Sequence, residues 1–316
     1  MSKRAESIAS VRPGKVREKT VWTGHRTREA MAGYLFLLPN FIGMIVFLAI
    51  PLLVSLWYSF TNADTAVPAK AQFVGLESYS YALQDDTFKQ ASLQTVGYLL
   101  GFLPLSIIPA LFLAVLLNAK MPGRSIFRTA YFLPVVASVV GVALIWRWLF
   151  QYDFGPINTI LGFIGLGKVH WLESPQTAMF TVIVVSAWQA IGYNIVLFLA
   201  GLQAIPRSLY EAAEVDGANT WTQFRRITLP LLTPATFFVV ITSLIKGLQE
   251  FAVPYTMFSK GGPANSAMTA VFALYNEAFP FLHTGRASAM AWLLFVVIFV
   301  VTLIQFKIGN RWVNYD

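Results

Sequence analysis

Cysteine is absent from the 316 residues, so no disulfide, no thiol chemistry and no cysteine-bound metal can be built. Histidine is nearly absent. His25, His170 and His283 stand far apart in sequence and give no metal-ligand spacing. Charge is scarce as well: Asp, Glu, Lys and Arg make up 12% of the chain, against about 25% in soluble domains, and 56% is hydrophobic. No paired carboxylates, Ser/His/Asp set or metal cluster stands out within an apolar run, so little points to an enzyme. A net charge of +8 would suit nucleic acid if it were gathered on one surface, but its placement follows the apolar runs instead. Neither a nucleic-acid partner nor a cofactor is expected.

What the chain does have is apolar length. Six windows of at least 18 residues carry no Asp, Glu, Lys or Arg: 30–63, 90–119, 129–146, 174–206, 227–245 and 287–306. A bilayer core takes about 20 apolar helical residues to cross. Inside lipid the backbone must satisfy its own hydrogen bonds, so such segments are helices. The expected fold is therefore an all-α integral membrane protein with six transmembrane helices, near 31–58, 93–118, 129–149, 178–202, 231–254 and 287–307. The run after Glu29 is far longer than the apolar region of a cleaved signal peptide, and five more spans follow it. Pro39 and Pro51 in span 1 and Pro104 and Pro109 in span 2 are expected to kink their helices.

The basic residues fall unevenly around these spans. Residues 1–30 form a basic tail with eight Lys and Arg. With the 2–3 loop, the 4–5 loop and the C-terminal end, that side holds sixteen, against six on the other. The positive-inside rule puts both termini in the cytoplasm, with membrane lipid as a further contact of the tail. The connectors 61–90, 151–177 and 258–285 then lie outside. Trp57, Tyr58, Trp146, Trp148 and Trp171 sit near that boundary, where amphipathic rings are favoured.

One cytoplasmic loop, 203–230, is long for such a bundle. Ser208 and Glu211 have the spacing of a capping box, and Leu209–Val215 reads as a short helix that Gly217 stops. A second short helix is expected over 221–227, with Pro230 opening span 5. Glu211, Ala212, Ala213, Asp216 and Gly217, followed by Ile227, Leu229 and Pro230, make the pattern E-A-A-x3-G-x9-I-x-L-P. Small alanines allow a partner to approach closely, and the carboxylates can meet its basic groups.

This pattern resembles the coupling loop of permease subunits of binding-protein-dependent ABC importers. Gly261-Gly262-Pro263, with Tyr275, Phe279 and Gly285 beyond, resembles their sugar branch, of maltose, multiple-sugar and glycerol-3-phosphate type. The likeness runs over 31–312, all but the tail. It implies a six-helix type I importer permease in the plasma membrane of a bacterium or archaeon. It also implies a second homologous permease subunit, two ATPase subunits, one of which receives the loop helix in a groove, and an extracytoplasmic solute-binding protein that delivers a sugar. By register, the resemblance assigns the substrate pathway to Trp188, Gln189 and Tyr193 in span 4 and Ser243, Gly247 and Glu250 in span 5. The same machine could carry glycerol-3-phosphate, a polyol or an osmolyte. An ion-coupled secondary transporter, the rival of another class, would show more acids inside its spans.

Three further features need a reading. Gly162 to Val169 nearly spells a phosphate-binding G-x4-G-K-[ST] loop, but Val169 lacks the hydroxyl that holds Mg²⁺ and the segment is expected outside. ATP hydrolysis is therefore expected on separate chains. Gly97 and Gly101 have the spacing of a close helix contact. Lys246 and Glu250 are four residues apart in span 5, so on a continuous helix they share a face and can pair.

Overall fold

The computed structural model describes residues 23–64, 66–67, 71–118 and 124–312, and side chains within 28–309. The rest, including most of the basic tail, Lys70 and Lys120, lies outside the described residues. Among the described residues every regular element is helical apart from one isolated bridge, Thr61 to Phe73. The chain divides into two compact units, up to Val54 and from Ser55 on. The first unit is the bulk of one helix, α1 (Arg28–Ser59). Within α1 the turn Ile45–Ala49 widens, so that Ile50 N–H reaches Ile45 O. Pro51 follows at once, and it has no N–H to give.

In the second unit the order is α2 (Glu77–Gln84), α3 (Asp86–Asn118), α4 (Arg124–Val136), α5 (Val139–Leu149), α6 (Pro156–Phe163) and α7 (Pro175–Ala204). Then come α8 (Arg207–Val215), α9 (Thr220–Leu231), α10 (Thr233–Leu248), α11 (Ala252–Met257), α12 (Ala270–Ala278) and α13 (Thr284–Trp312). Among the described residues α1, α3, α7 and α13 are each long and apolar enough to cross a membrane alone. The bent pairs α4–α5 and α9–α10 bring the number of spans to six if each pair crosses once.

The core runs along α3 and α7. On α3 the buried residues include Tyr98, Phe102, Ser106, Ala110, Ala114 and Leu117, part of a stripe at spacings of three and four that marks one helix face. Facing it, α7 buries Val182, Val185, Ala190, Ile195, Phe198 and Leu202. α3 passes through Pro104 and Pro109 unbroken. Close by, Asn194 of α7 donates its amide to the Ser106 carbonyl at 3.3 Å. Gly192 sets the approach of α4 to α7, because a Cβ there would stand 2.1 Å from the Tyr131 carbonyl oxygen. Of the pair Gly97 and Gly101, only Gly101 faces another helix, against Ile183.

Two spans differ from their expected form. The third is not one helix over 129–149, since α4 and α5 meet at 107°. Pro134 takes a donor from the last turn of α4, and Ser138 turns extended (φ −59°, ψ 127°) to start α5. The fifth does not run on to 254. α10 stops at Leu248, and the chain restarts as α11 after Phe251.

Beyond α5, one buried asparagine holds the 151–177 connector together. Asn158 donates to the carbonyls of Tyr152 (3.1 Å) and Val169 (3.0 Å), and accepts from Val169 N–H (3.1 Å) and Trp171 Nε1 (3.0 Å). Asn158→Ala strips four partners of a bond in one step. A single unsatisfied buried group costs about 1–3 kcal/mol, so the expected loss is about 3 kcal/mol, read as a fall in the thermal midpoint of the detergent-purified protein. An unchanged midpoint would mean that water replaces the amide at no cost.

Candidate functional site

Two places are candidates for function: the 203–230 loop, and a cavity at the far end of α10.

The loop begins where α7 ends. Pro206 (φ −61°, ψ 132°) is the N-cap of α8, so the helix starts two residues before the expected Leu209. The capping box expected from Ser208 and Glu211 is not formed; Leu209 N–H bonds the Pro206 carbonyl at 3.3 Å instead. Proline's fixed φ suits the cap position and moves the start N-terminal. At the other end, Gly217 has φ +77°, its N–H bonds the Glu214 carbonyl, and the Ala218 N–H bonds the Ala213 carbonyl. That is the double bond of a Schellman ending, with Asp216 as the C-cap.

No residue of α8 is buried. Glu211, Ala212, Asp216 and Gly217 are exposed and Ala213 is half-buried. Val215 is 89% exposed and Trp221 67%, so apolar side chains stand outward beside the carboxylates. Among the described residues the Glu211 carboxylate makes no hydrogen bond or ion pair. The opposite face is tied down. The Tyr210 hydroxyl and Thr228 Oγ1 lie 2.9 Å apart, joining α8 to α9 beside a cleft of about 610 Å³.

α9 also differs from expectation. It is one element from Thr220 through Pro230, opened by Asn219 Oδ1 accepting from Thr222 N–H at 2.9 Å. Its turn Phe224–Thr228 is widened, with Leu229 N–H on the Phe224 carbonyl and Pro230 next. α10 then leaves at 62°, with Pro234 in its first turn.

The cavity measures about 550 Å³ and is lined by Gln189, Thr242, Lys246, Gln249, Glu250 and Phe251, among others. Of the six expected pathway residues it gathers Gln189 and Glu250. Ser243 and Gly247 turn the other way. Ser243 Oγ lies 3.4 Å from Asn194 Oδ1, and Gly247 packs on Leu99 and Phe102 of α3, where a Cβ would stand 2.6 Å from Leu99. Trp188, 40% exposed, meets Trp146 edge-on at 5.6 Å, and Tyr193 is 43% exposed. Thr242, Gln249 and Phe251 were not singled out by sequence; a polar glutamine inside an apolar segment was the available signal.

Lys246 and Glu250 interact electrostatically but do not close an ion pair. Because α10 ends at Leu248, Glu250 leaves the helical face, and Glu250 Oε1 accepts from Val253 N–H at 3.1 Å at the start of α11. The Glu250 carbonyl accepts from Thr269 Oγ1 at 2.6 Å.

The near-phosphate loop 162–169 has the wrong frame for a nucleotide. Helix α6 precedes it, where a phosphate loop needs a strand before it and a helix after. Lys168 is turned to the Asp153 carbonyl (3.4 Å) and the Tyr152 ring (5.4 Å). The isolated chain is expected to bind no ATP. Saturable binding of a fluorescent ATP analogue by the purified subunit would contradict this.

Residues 103–314 match the family described as binding-protein-dependent transport system inner membrane component, and the chain belongs to it. It is a multi-pass permease subunit of an ABC importer, a membership that displaces the ion-coupled secondary transporter. The probable ABC transporter permease protein YesP of Bacillus subtilis (strain 168) is 39% identical over 92% of this chain and 94% of its own. The arabinooligosaccharides transport system permease protein AraP of the same organism is 36% identical over 88% of each chain. A solved bacterial alginate ABC transporter, in complex with an alginate pentasaccharide-bound periplasmic protein, shares the fold. Its TM-score is 0.76 over 93% of this chain and 98% of its own, at 24% identity.

Proposed function

We propose that this chain forms half of the membrane-spanning part of an importer for a sugar or oligosaccharide. A second homologous permease completes the pathway, two ATPase subunits hydrolyse ATP on separate chains, and an extracytoplasmic binding protein delivers the cargo. Both termini, with the 1–30 tail, are cytoplasmic, in the plasma membrane of a bacterium or archaeon.

The observation that carries this reading is α8: nine residues, none buried, ended by Gly217 and tied to α9 through Tyr210 and Thr228. Glu211, Ala212, Ala213 and Asp216 offer small size and negative charge to a groove of the ATPase. Closure of the ATPase pair on ATP displaces α8. The Tyr210–Thr228 contact passes that displacement to α9, and α9 continues into α10, which walls the cavity. The two nucleotide states thereby bias two arrangements of the spans. Gln189, Thr242 and Gln249 supply neutral hydrogen-bonding groups, and Trp188 and Tyr193 exposed rings, a combination that suits sugar hydroxyls and ring faces.

The deciding experiment is uptake into liposomes by the reconstituted complex, with a panel of sugars presented by the binding protein. ATP-dependent accumulation of a saccharide supports the reading; accumulation of none, by a complex that hydrolyses ATP, removes it. Reporter fusions at Asp316 and in the 61–67 segment should give opposite sides of the membrane. The same side for both would overturn the topology.

A further inference from the structure

The cavity that walls the proposed pathway holds a charge that a neutral sugar does not require. Lys246 is the one basic residue lying well within a hydrophobic run of this chain. It sits two residues before the end of α10 and its side chain is exposed into the cavity. A lysine at the centre of a membrane span costs about 2.5–3.5 kcal/mol on insertion scales and less toward its end, and lysines within spans commonly face a cavity, a ligand or a partner.

The obvious partner within the chain is near but not in contact. Glu250 shares the cavity and feels the charge of Lys246. Its carboxylate accepts from Val253 N–H, and the break after Leu248 takes it off the face of Lys246. Among the described residues the Lys246 ammonium makes no ion pair within 4 Å and no hydrogen bond. The neighbouring lining groups Thr242, Gln189 and Gln249 are neutral. A hydroxylated ligand entering here would therefore meet three neutral hydrogen-bonding side chains, one carboxylate already bonded to backbone, and one ammonium with no direct contact to that carboxylate.

From this we infer that the cargo carries an anionic group, and that Lys246 receives it. The chemistry is a polyhydroxylated molecule with one carboxylate or phosphate. The carboxylate of a uronic-acid-containing saccharide and the phosphate ester of a sugar or polyol both satisfy it. The ammonium pairs with the anion through a charge-assisted hydrogen bond, roughly twice as strong as a neutral one. Gln189, Gln249 and Thr242 take the hydroxyls. This inference rests on the cavity being the cargo pathway, and it adds the charge of what passes.

The test uses the complete complex in liposomes, with transport measured at saturating liganded binding protein so that the permease step limits the rate. Three cargoes are compared: a neutral oligosaccharide, its uronate-containing counterpart, and glycerol phosphate. The expected result is transport of at least one anionic cargo. Lys246→Gln should lower the anionic-to-neutral rate ratio at least tenfold, and Lys246→Arg should restore most of it. Restoration by arginine marks a charge effect, because a purely packing role would not distinguish arginine from glutamine in this way. Dependence on Lys246 for the uronate alone assigns the carboxylate. Dependence for glycerol phosphate alone assigns the phosphate and removes the saccharide from the proposed function, leaving this inference standing. Transport of the neutral sugar only, or an unchanged ratio in Lys246→Gln, overturns the inference and leaves the sugar importer intact. A complex that moves none of the three overturns both.

Discussion

Glu211→Lys should abolish ATP-driven uptake while the protein still folds and inserts. Glu211 is exposed on α8, outside every span, and makes no contact among the described residues that folding would miss. Reversing its charge against a basic groove replaces attraction with repulsion, a change of about 2–5 kcal/mol at a docked charge pair, or more than tenfold in affinity. Gly217→Val acts on the same loop by another route. At φ +77° a side chain strains the backbone by about 1–2 kcal/mol, and a β-branched residue sits there worst, so the Schellman ending opens and α8 loses its orientation. Each variant is to be purified with its ATPases and binding protein, with hydrolysis and uptake measured together. Normal yield with both activities lost is the expected pattern. Wild-type stimulation and uptake in both variants would remove the loop from the coupling scheme.

The second large effect belongs to Glu250. The carboxylate both lines the cavity and caps α11, and two substitutions separate these tasks. Glu250→Ala removes cap and charge, so the cost of a lost helix cap, about 1 kcal/mol, should appear as lower complex yield or a lower thermal midpoint. Glu250→Gln keeps an oxygen for Val253 N–H and removes only the charge. It should assemble normally and lower uptake per complex about tenfold. Full uptake by the glutamine variant, with damage confined to the alanine variant, would reduce Glu250 to a structural cap.

The apolar architecture was legible because charge is excluded from lipid: each charge-free window coincides with a helix or a bent pair of helices. Where the helices stop was less legible. Pro134 announces a weakened turn, but whether the chain bends slightly or by 107° depends on how Ala137 and Ser138 pack, which no local pattern states. The expected Lys246–Glu250 pair failed for the same reason. Periodicity assumes the helix continues, and here it ends between the two residues. The loop was legible at Gly217, where only the backbone conformation was at issue. It was misread at Ser208, where Pro206 competes for the same cap. The pathway residues came from resemblance rather than from spacing, and the cavity gathers two of them while α3 and α7 take Ser243 and Gly247 into packing. Asn158 carries no sequence signal at all, since its four partners are brought to it by the fold of its connector.

The two widened turns share a register. In α1 the turn Ile45–Ala49 stands one residue before Pro51, and in α9 the turn Phe224–Thr228 stands one residue before Pro230. A five-residue turn holds one residue more than regular helix, and each residue advances the helix by about 100°. The surplus residue thus leaves the azimuth of everything downstream as it would be in a chain one residue shorter. These two points are where the chain length can change without re-aiming the rest of the helix. Loss of a single residue from 224–228 would tighten α9 to a regular spiral and keep Thr228, or its replacement, turned toward Tyr210. The same loss one turn into α10 would swing Thr242, Lys246 and Gln249 about a quarter of a circle off the cavity. Natural length variation in this stretch should therefore collect beside Pro230.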